Sequence, residues 1–538
     1  MPPSPCLTRR RTLAHSLSRI APLTSCALLV TAGLSGCFSI SPKPVSAQEV
    51  LDSSRSALAS AQNGVAPITH SLTLEEALAR AYKYNLNQRA AQIEQAIALN
   101  AWKAGKTDML PKAMAMAGYH SRSKDLITRS RDSVTGQPSL AHPYISSDRE
   151  SANYDLGVSW SALDFAVGYY TAKQNADRVL IAAEHRRKAM HALTRDVTIA
   201  FWRMVSAQKL IGEVKSTMAA AETSLTDASK ANDEGLRSPV DNLRYQRQML
   251  ENIRLLSSIE KELSTARITL AILINAPLPS QLTVVEPSQT PNTRILDASV
   301  EQMEELALIR NADLKEQIYN QRIAVQEARK TLAKLLPNLS LSYSLKHNDD
   351  SYLINNSWGE AGALVSQNLT NLVSLPAQRR MAAGGVALTA QRRVAMQVAL
   401  ITQLHIARIE LASTHRQLQF ADRIWTLDQG IKQYTASREQ AQAESQLAKV
   451  AADTASIVSM LRRYQALAEF NAAAGALQAT LGMEIDVGNV NEMSLDELTR
   501  AIGEWEKAWY EGKLPAIESA PQKTTRSASA HAVKLPTG

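Results

Sequence analysis

Few side chains in this 538-residue chain are spaced for catalysis or metal binding. Glu75 and Glu76 are adjacent acids of the kind that can share proton-transfer work, but they follow Thr73-Leu74 in a helix-start pattern. There they complement the positive end of the helix dipole. His185 and His191 are six positions apart and leave a helix on different sides, so they read as exposed polar residues rather than metal ligands. No phosphate-binding glycine loop and no His-Glu-x-x-His pattern occurs. The sequence therefore points to a protein that is not an enzyme and uses no cofactor or metal. The cysteines are Cys6, Cys26 and Cys37, too few and too N-terminal for a disulfide framework or a thiolate metal site.

Cys37 is the residue whose surroundings point to a reaction. Arg9, Arg10, Arg11 and Arg19 form a basic region, and residues 20–36 carry no charge and are mostly apolar, as in an export signal. The run ends in Leu34-Ser35-Gly36-Cys37, which resembles the lipobox of bacterial lipoproteins. That resemblance implies that 1–36 is a signal peptide and that Cys37 becomes the lipidated first residue of the mature chain, carrying palmitate. Leu23-Thr24-Ser25-Cys26 is a weaker match with too short an apolar run before it. Phe38 and Ser39 follow Cys37, and by the same resemblance, in which aspartate after the cysteine blocks sorting, the chain is expected to go to the outer membrane. The formal charge of +8 includes four arginines and no acids in residues 1–37, so the mature chain carries +4. That balance is no argument for nucleic-acid binding.

These residues sit on a chain built from two copies of one unit. With 45% hydrophobic residues and a mean hydropathy of −0.20, and no long uninterrupted apolar run after residue 37, the mature chain has no obvious spanning helix. Any insertion must use strands. Thr73-Leu74-Glu75-Glu76 and Ser299-Val300-Glu301-Gln302 are both capping-box patterns, 226 positions apart. Each opens a helical run of about 36 residues that ends at Leu110-Pro111 or Leu336-Pro337, again 226 apart. The period then changes from helix to strand. Residues 339–345 and 155–162 alternate apolar with small polar residues; 361–369 do so less clearly, and 113–119 poorly, with Met114 and Met116 where serines are expected. Such strands suit a wall with lipid on one side and water on the other, or a half-buried soluble sheet. Polar loops at 121–150 and near 346–360 separate the strands, the first 19 residues longer, because the offset falls from 226 to 207 across it.

Long helices follow the strands. Residues 168–233 contain no proline and place Leu193, Val197, Ala200, Met204, Ala207 and Ile211 at alternating steps of four and three. The second copy answers with Leu400, Leu404, Ala407, Leu411, Thr414 and Leu418. Return helices carry Leu256, Ile259, Leu263, Ala266, Leu270 and Leu273, then Val450, Ile457, Met460, Tyr464, Leu467 and Leu477. These are packing seams. A run of about 66 residues spans roughly 100 Å, about the combined length of one opening and one return helix stacked end to end. Residues 38–72 form a spacer with a short helix near 47–61, prolines at 277, 279, 287 and 291 mark a linker, and Ser494 to Glu497 opens a short amphipathic helix bearing Leu498, Ile502, Trp505 and Trp509.

Two copies of helix, strand hairpin, long helix and return helix behind a lipobox are similar to the outer membrane factor family of TolC-type efflux and secretion channels, in a lipoprotein member. The resemblance implies an α+β, TolC-like fold: a long antiparallel α-helical barrel plus a transmembrane β-barrel, with four strands per protomer and twelve in a homotrimer. Four strands cannot close a barrel alone. The corresponding segments are 1–36 signal peptide, 37–72 spacer, 73–276 first repeat, 277–298 equatorial linker, 299–483 second repeat, 484–513 equatorial C-terminal helix and 514–538 disordered tail. By resemblance, the turn Gly235-Leu236-Arg237-Ser238-Pro239-Val240-Asp241 is a periplasmic tip that docks an adaptor (membrane fusion) protein, with Glu444 and Ser445 at the second tip. Pro239 suits the first turn of the return helix, with Ser238 as its cap. Acidic gate residues of some members correspond here to Ala448 and Ala451, leaving Asp241 and Asp453 as substitutes. The implied partners are that adaptor, an inner membrane pump of RND or ABC type and outer membrane lipid, with no nucleic acid. The implied function is a passive conduit for small molecules. Protein, peptide or polysaccharide secretion, and a periplasmic helical scaffold without a pore, remain alternatives.

Overall fold

The structure is a computed structural model, describing residues 42–138, 143–233, 238–277, 282–287, 292–485, 490 and 492–515. The described residues up to Gly64 form a separate unit. Within it Ser46 caps the helix α1 (Ala47–Gln62), none of whose residues is buried.

The second unit, from Val65 onward, runs twice through the same series. The first pass contains α2 (Leu74–Tyr84), α3 (Leu86–Gly105), β1 (Lys112–Ser121), short strands β2 (Ile127–Thr128) and β3 (Tyr144–Ile145), β4 (Glu150–Ser161), α4 (Ala162–Asp233) and α5 (Pro239–Leu273). The second contains α6 (Val300–Arg310), α7 (Ala312–Ala333), β5 (Asn338–Asn348), β6 (Ser357–Ser366), α8 (Thr370–Gln440) and α9 (Gln446–Leu481); α10 (Leu495–Tyr510) follows.

Each opening run is two helices rather than one. Asn85 leaves the helical region at φ −62°, ψ 129°, and Asn311 does so at φ −60°, ψ 132°. Each side chain then caps the next helix, accepting from the Gln88 or Leu314 amide. Each also donates to a carbonyl at the end of a return helix, Asn85 to Leu273 at 2.9 Å and Asn311 to Thr480 at 3.1 Å. The donors are 226 apart and the acceptors 207, the offsets of the two copies. This local amide bonding overrides a helical period that otherwise continues through the break.

The capping patterns are used unequally. Thr73 and Ser299 cap their helices, but Glu76 turns away from the Thr73 backbone to Arg80 at 2.9 Å and His70 at 2.8 Å. Among the described residues only Ser494 and Glu497 form a reciprocal capping box. At the end of α9, Gly482 takes φ +65°, where an added Cβ would lie 2.5 Å from the Arg310 carbonyl oxygen. The glycine is therefore required both by its left-handed backbone and by the closeness of the α6 end.

Long helices α4 and α8, of 72 and 71 residues, each span roughly 105 Å. Helix α4 packs against α3, α5, α7 and α9, while α8 packs against α7 and α9. The sheet-proximal half of the wall thus reads α3–α4–α7–α8 and the distal half α5–α4–α9–α8. Seam residues from Leu193 to Ala207, from Leu400 to Leu418 and along α5 and α9 are buried, with Ile211, Leu273 and Met460 partly so. Near the middle, α10 buries Leu498, Ile502 and Trp509 against the core that contains α2. One window of α8 is long and apolar enough to cross a membrane by composition alone. Its exposed apolar residues, however, are spread from Val373 to Tyr434.

Candidate functional site

Four strands form one antiparallel sheet in the order β1-β4-β5-β6. Its register assigns every side chain to a face, because successive strand residues point to opposite sides. One face carries Ala113, Ala115 and Ala117, then Tyr154, Leu156, Val158 and Trp160, then Leu339, Leu341, Tyr343 and Leu345, then Ala361, Ala363 and Val365. The other carries the serines of β4 and β5 together with Asn153, Asp155, Lys346, Asn348 and Glu360.

A soluble half-buried sheet would cover its apolar face. Here that face is open: Leu156 is 58% exposed, Tyr343 52% and Leu345 51%. At the helix end of the sheet, Trp160, Phe165, Tyr169 and Tyr170 form a chain of rings with centroids 5.4–6.5 Å apart. At the loop end Tyr154 stands 6.1 Å from His347. An apolar band between two aromatic levels is the pattern of a lipid-facing strand wall.

Met114 and Met116 belong to the polar face of β1, as the sequence placed them. Trp358 and Leu364 hold the corresponding face of β6. Apolar side chains on the polar face are thus confined to the two edge strands. β4 and β5, in the middle, have none there.

The strands extend further toward the loops than alternation indicated, so the loops are residues 122–149 and 349–356, while at the helix end β4 stops at Ser161 and β6 at Ser366, short of the alternating stretches 155–162 and 361–369. The longer loop contains the paired strands β2 and β3. The two loops are latched together. Asp148 accepts from the Ser351 amide and hydroxyl, its own amide donates to Asp350 at 3.1 Å, and Asp349 accepts from the Ala152 amide.

At the opposite end of the wall, Gly235, Leu236 and Arg237 lie outside the described residues, as does Cys37. Pro239 opens α5 as expected, but the Ser238 side chain makes no capping bond. Its carbonyl instead accepts from the Asn242 amide at 3.0 Å. Asp241 is 70% exposed and 3.6 Å from Arg244. The second tip manages without glycine or proline. Gln442 adopts φ +55°, Arg438 donates to the Ala443 carbonyl and stands 3.5 Å from Glu444, Lys449 pairs with Glu439 at 3.1 Å, and Ser445 caps α9. Asp453 is 20% exposed and faces Lys432 at 4.0 Å, which also pairs with Glu213 of α4 at 2.9 Å. Burial raises the Asp453 pKa against the pull of Lys432 and Lys449. The two candidate gate residues therefore differ: Asp241 is solvent-exposed beside Arg244, whereas Asp453 is held between helices.

His185 is half exposed and lies 3.2 Å from Glu316. His191 is not the exposed residue expected; it is partly buried, and burial lowers its pKa. Its neighbour Arg187 is a hub that pairs with Glu184 and Glu484 and donates to the Arg310 and Gly482 carbonyls. No short motif announces that hub, because its partners lie on α4, α6 and the end of α9. Among the described residues no cluster of histidine, cysteine and carboxylate side chains could hold a metal.

No family model matches the sequence, and no curated protein matches it. Solved structures do. The outer-membrane channel OprN aligns over 76% of this chain and 90% of its own at 17% identity, with a TM-score of 0.58. The Campylobacter jejuni CmeC outer membrane channel covers 81% and 89% at 11% identity, TM-score 0.60. The open state of the Neisseria gonorrhoeae MtrE outer membrane channel covers 77% and 91% at 15% identity, TM-score 0.56. With its doubled series, long helical wall and four-stranded sheet, the chain has the α+β fold of the TolC-type outer-membrane channels.

Proposed function

We propose that this chain is one third of an outer-membrane conduit through which small molecules leave a tripartite efflux system. The observation that carries this reading is the uncovered apolar face of the sheet, bounded by aromatic levels and opposed by a serine-rich face. Strands β1 and β6 have one partner each, and an unpaired edge is not viable in lipid. Three copies joined β6 to β1 remove every edge and give a twelve-stranded barrel. The helical flanks support the same closure: α8 exposes Met381, Ile409, Phe420, Ile424 and Leu427, and α5 exposes Leu243, Leu250 and Ile272. In the assembly these flanks meet, and the walls enclose a tunnel of roughly 100 Å.

Cys37 carries the lipid anchor in the outer membrane. The tip from Gly235 to Asp241, with Glu444 and Ser445 of the second tip, docks a periplasmic adaptor. An inner membrane pump of RND or ABC type supplies the energy, and the conduit itself is passive. Purification from outer membranes and recording in planar bilayers tests this reading. A heat-modifiable trimer with stable conductance is expected; a monomer without conductance would refute it. Cys37→Ser should abolish labelling by a lipid precursor, and retained labelling would refute the anchor site.

A further inference from the structure

We propose that Asp155, Lys346 and Glu360 form a charge-selective belt inside the barrel and give the conduit a preference for cations. The inference rests on the three-copy barrel proposed above. Register supplies the geometry. On the polar face, one row across the sheet reads Met116, Asp155, Lys346, Trp358, and the next reads Met114, Gly157, Ser344, Glu360. Lys346 therefore has Asp155 directly beside it on β4, and its ammonium pairs with Glu360 of β6 at 2.6 Å.

A cross-strand ion pair that only stabilises the sheet needs one acid and one base. Here one lysine lies between two carboxylates, leaving one negative charge per copy and three in the trimer. The other charged or titratable side chains on this face are at its ends. Lys112 is neutralised by Asp164 at 2.6 Å where the sheet meets α4, and His120 accepts from Arg122 at the loop end. The belt is thus the uncompensated charge along the strand lumen.

Its reach follows from dimensions. Twelve strands about 4.8 Å apart, tilted by about 40°, give a backbone radius of roughly 12 Å, less the side chains. The Debye length is about 10 Å at 0.1 M salt and about 3 Å at 1 M. Ions on the axis therefore feel the belt at low ionic strength and lose it at high.

Reversal potentials of the purified full chain in planar bilayers under a KCl gradient test the inference. At about 0.1 M salt the wild type should prefer potassium over chloride, and the preference should fade near 1 M. Asp155→Asn with Glu360→Gln changes the belt from −1 to +1 per copy and should move the reversal potential toward chloride. Lys346→Gln makes it −2 and should move the potential the opposite way, so it carries the test alone if the double variant does not assemble. Conducting variants with the wild-type reversal potential would overturn the belt while leaving the channel standing. Absence of conductance in the wild type would instead overturn the barrel on which the belt rests.

Discussion

Glu506 should make the docking of α10 weaken as pH rises. This carboxyl is half-buried on α10 and lies near Glu75 of α2, with Tyr82 and Tyr510 close by. Burial first, and the charge of Glu75 second, push its pKa up to about 8 from 4.5. A raised carboxyl favours the folded state fully only below its unfolded pKa. Between about pH 5 and about pH 7.5 the docked group keeps a proton that the detached segment releases, at about 1.4 kcal/mol per pH unit. Over that interval docking loses up to about 3 kcal/mol, a ceiling because the group is partly solvated. Beyond about pH 8 the loss levels off. Glu506→Gln is neutral throughout and should remove the slope. Hydrogen exchange of the α10 amides at pH 5.5 and 7.5, corrected for intrinsic rates, measures the opening free energy of this segment. It should fall with pH in the wild type and stay level in the variant. An equal fall in both would refute the assignment to Glu506.

Other perturbations address the remaining joints. Asn85→Ala and Asn311→Ala each remove a cap and a bond to a return-helix carbonyl, so each should cost about 1–2 kcal/mol. Thermal unfolding of the singles and the double should give nearly additive losses if the two breaks act independently. Asp350→Ala, by freeing the Asp148 amide, should speed proteolysis within residues 122–149 without changing β-sheet content by circular dichroism; unchanged cleavage would mean that the latch does not hold the loop.

The doubled plan was legible in the sequence because spacing survives where identity does not. Leu110-Pro111 and Leu336-Pro337 marked the change from helix to strand, and a constant 207 offset linked the long helices. The seams from Leu193 and Leu400 were readable because helix packing imposes a local period of three and four. The helix breaks were missed because an asparagine within a periodic run is also compatible with an exposed helical position. What distinguishes Asn85 and Asn311 is the carbonyl each reaches on another helix, a contact 188 or 169 residues away. The outer latch was equally hidden, since Asp148 and Ser351 are 203 residues apart. Met114 and Met116 looked like poor alternation only while β1 was judged alone. Seen across the register, with Trp358 and Leu364 on the other edge, they mark the two edges that closure would bring together.

Closure can be read directly with cysteine pairs across that seam, combining Met114→Cys or Met116→Cys with Trp358→Cys or Leu364→Cys. All four positions lie on one face of the edge strands, and the four combinations cover neighbouring registers. If β6 of one copy pairs with β1 of the next, at least one combination should give a ladder ending at three chains on non-reducing gels, while each single cysteine gives none. Failure of every pair to cross-link in an assembled outer-membrane sample would contradict the closed three-copy barrel.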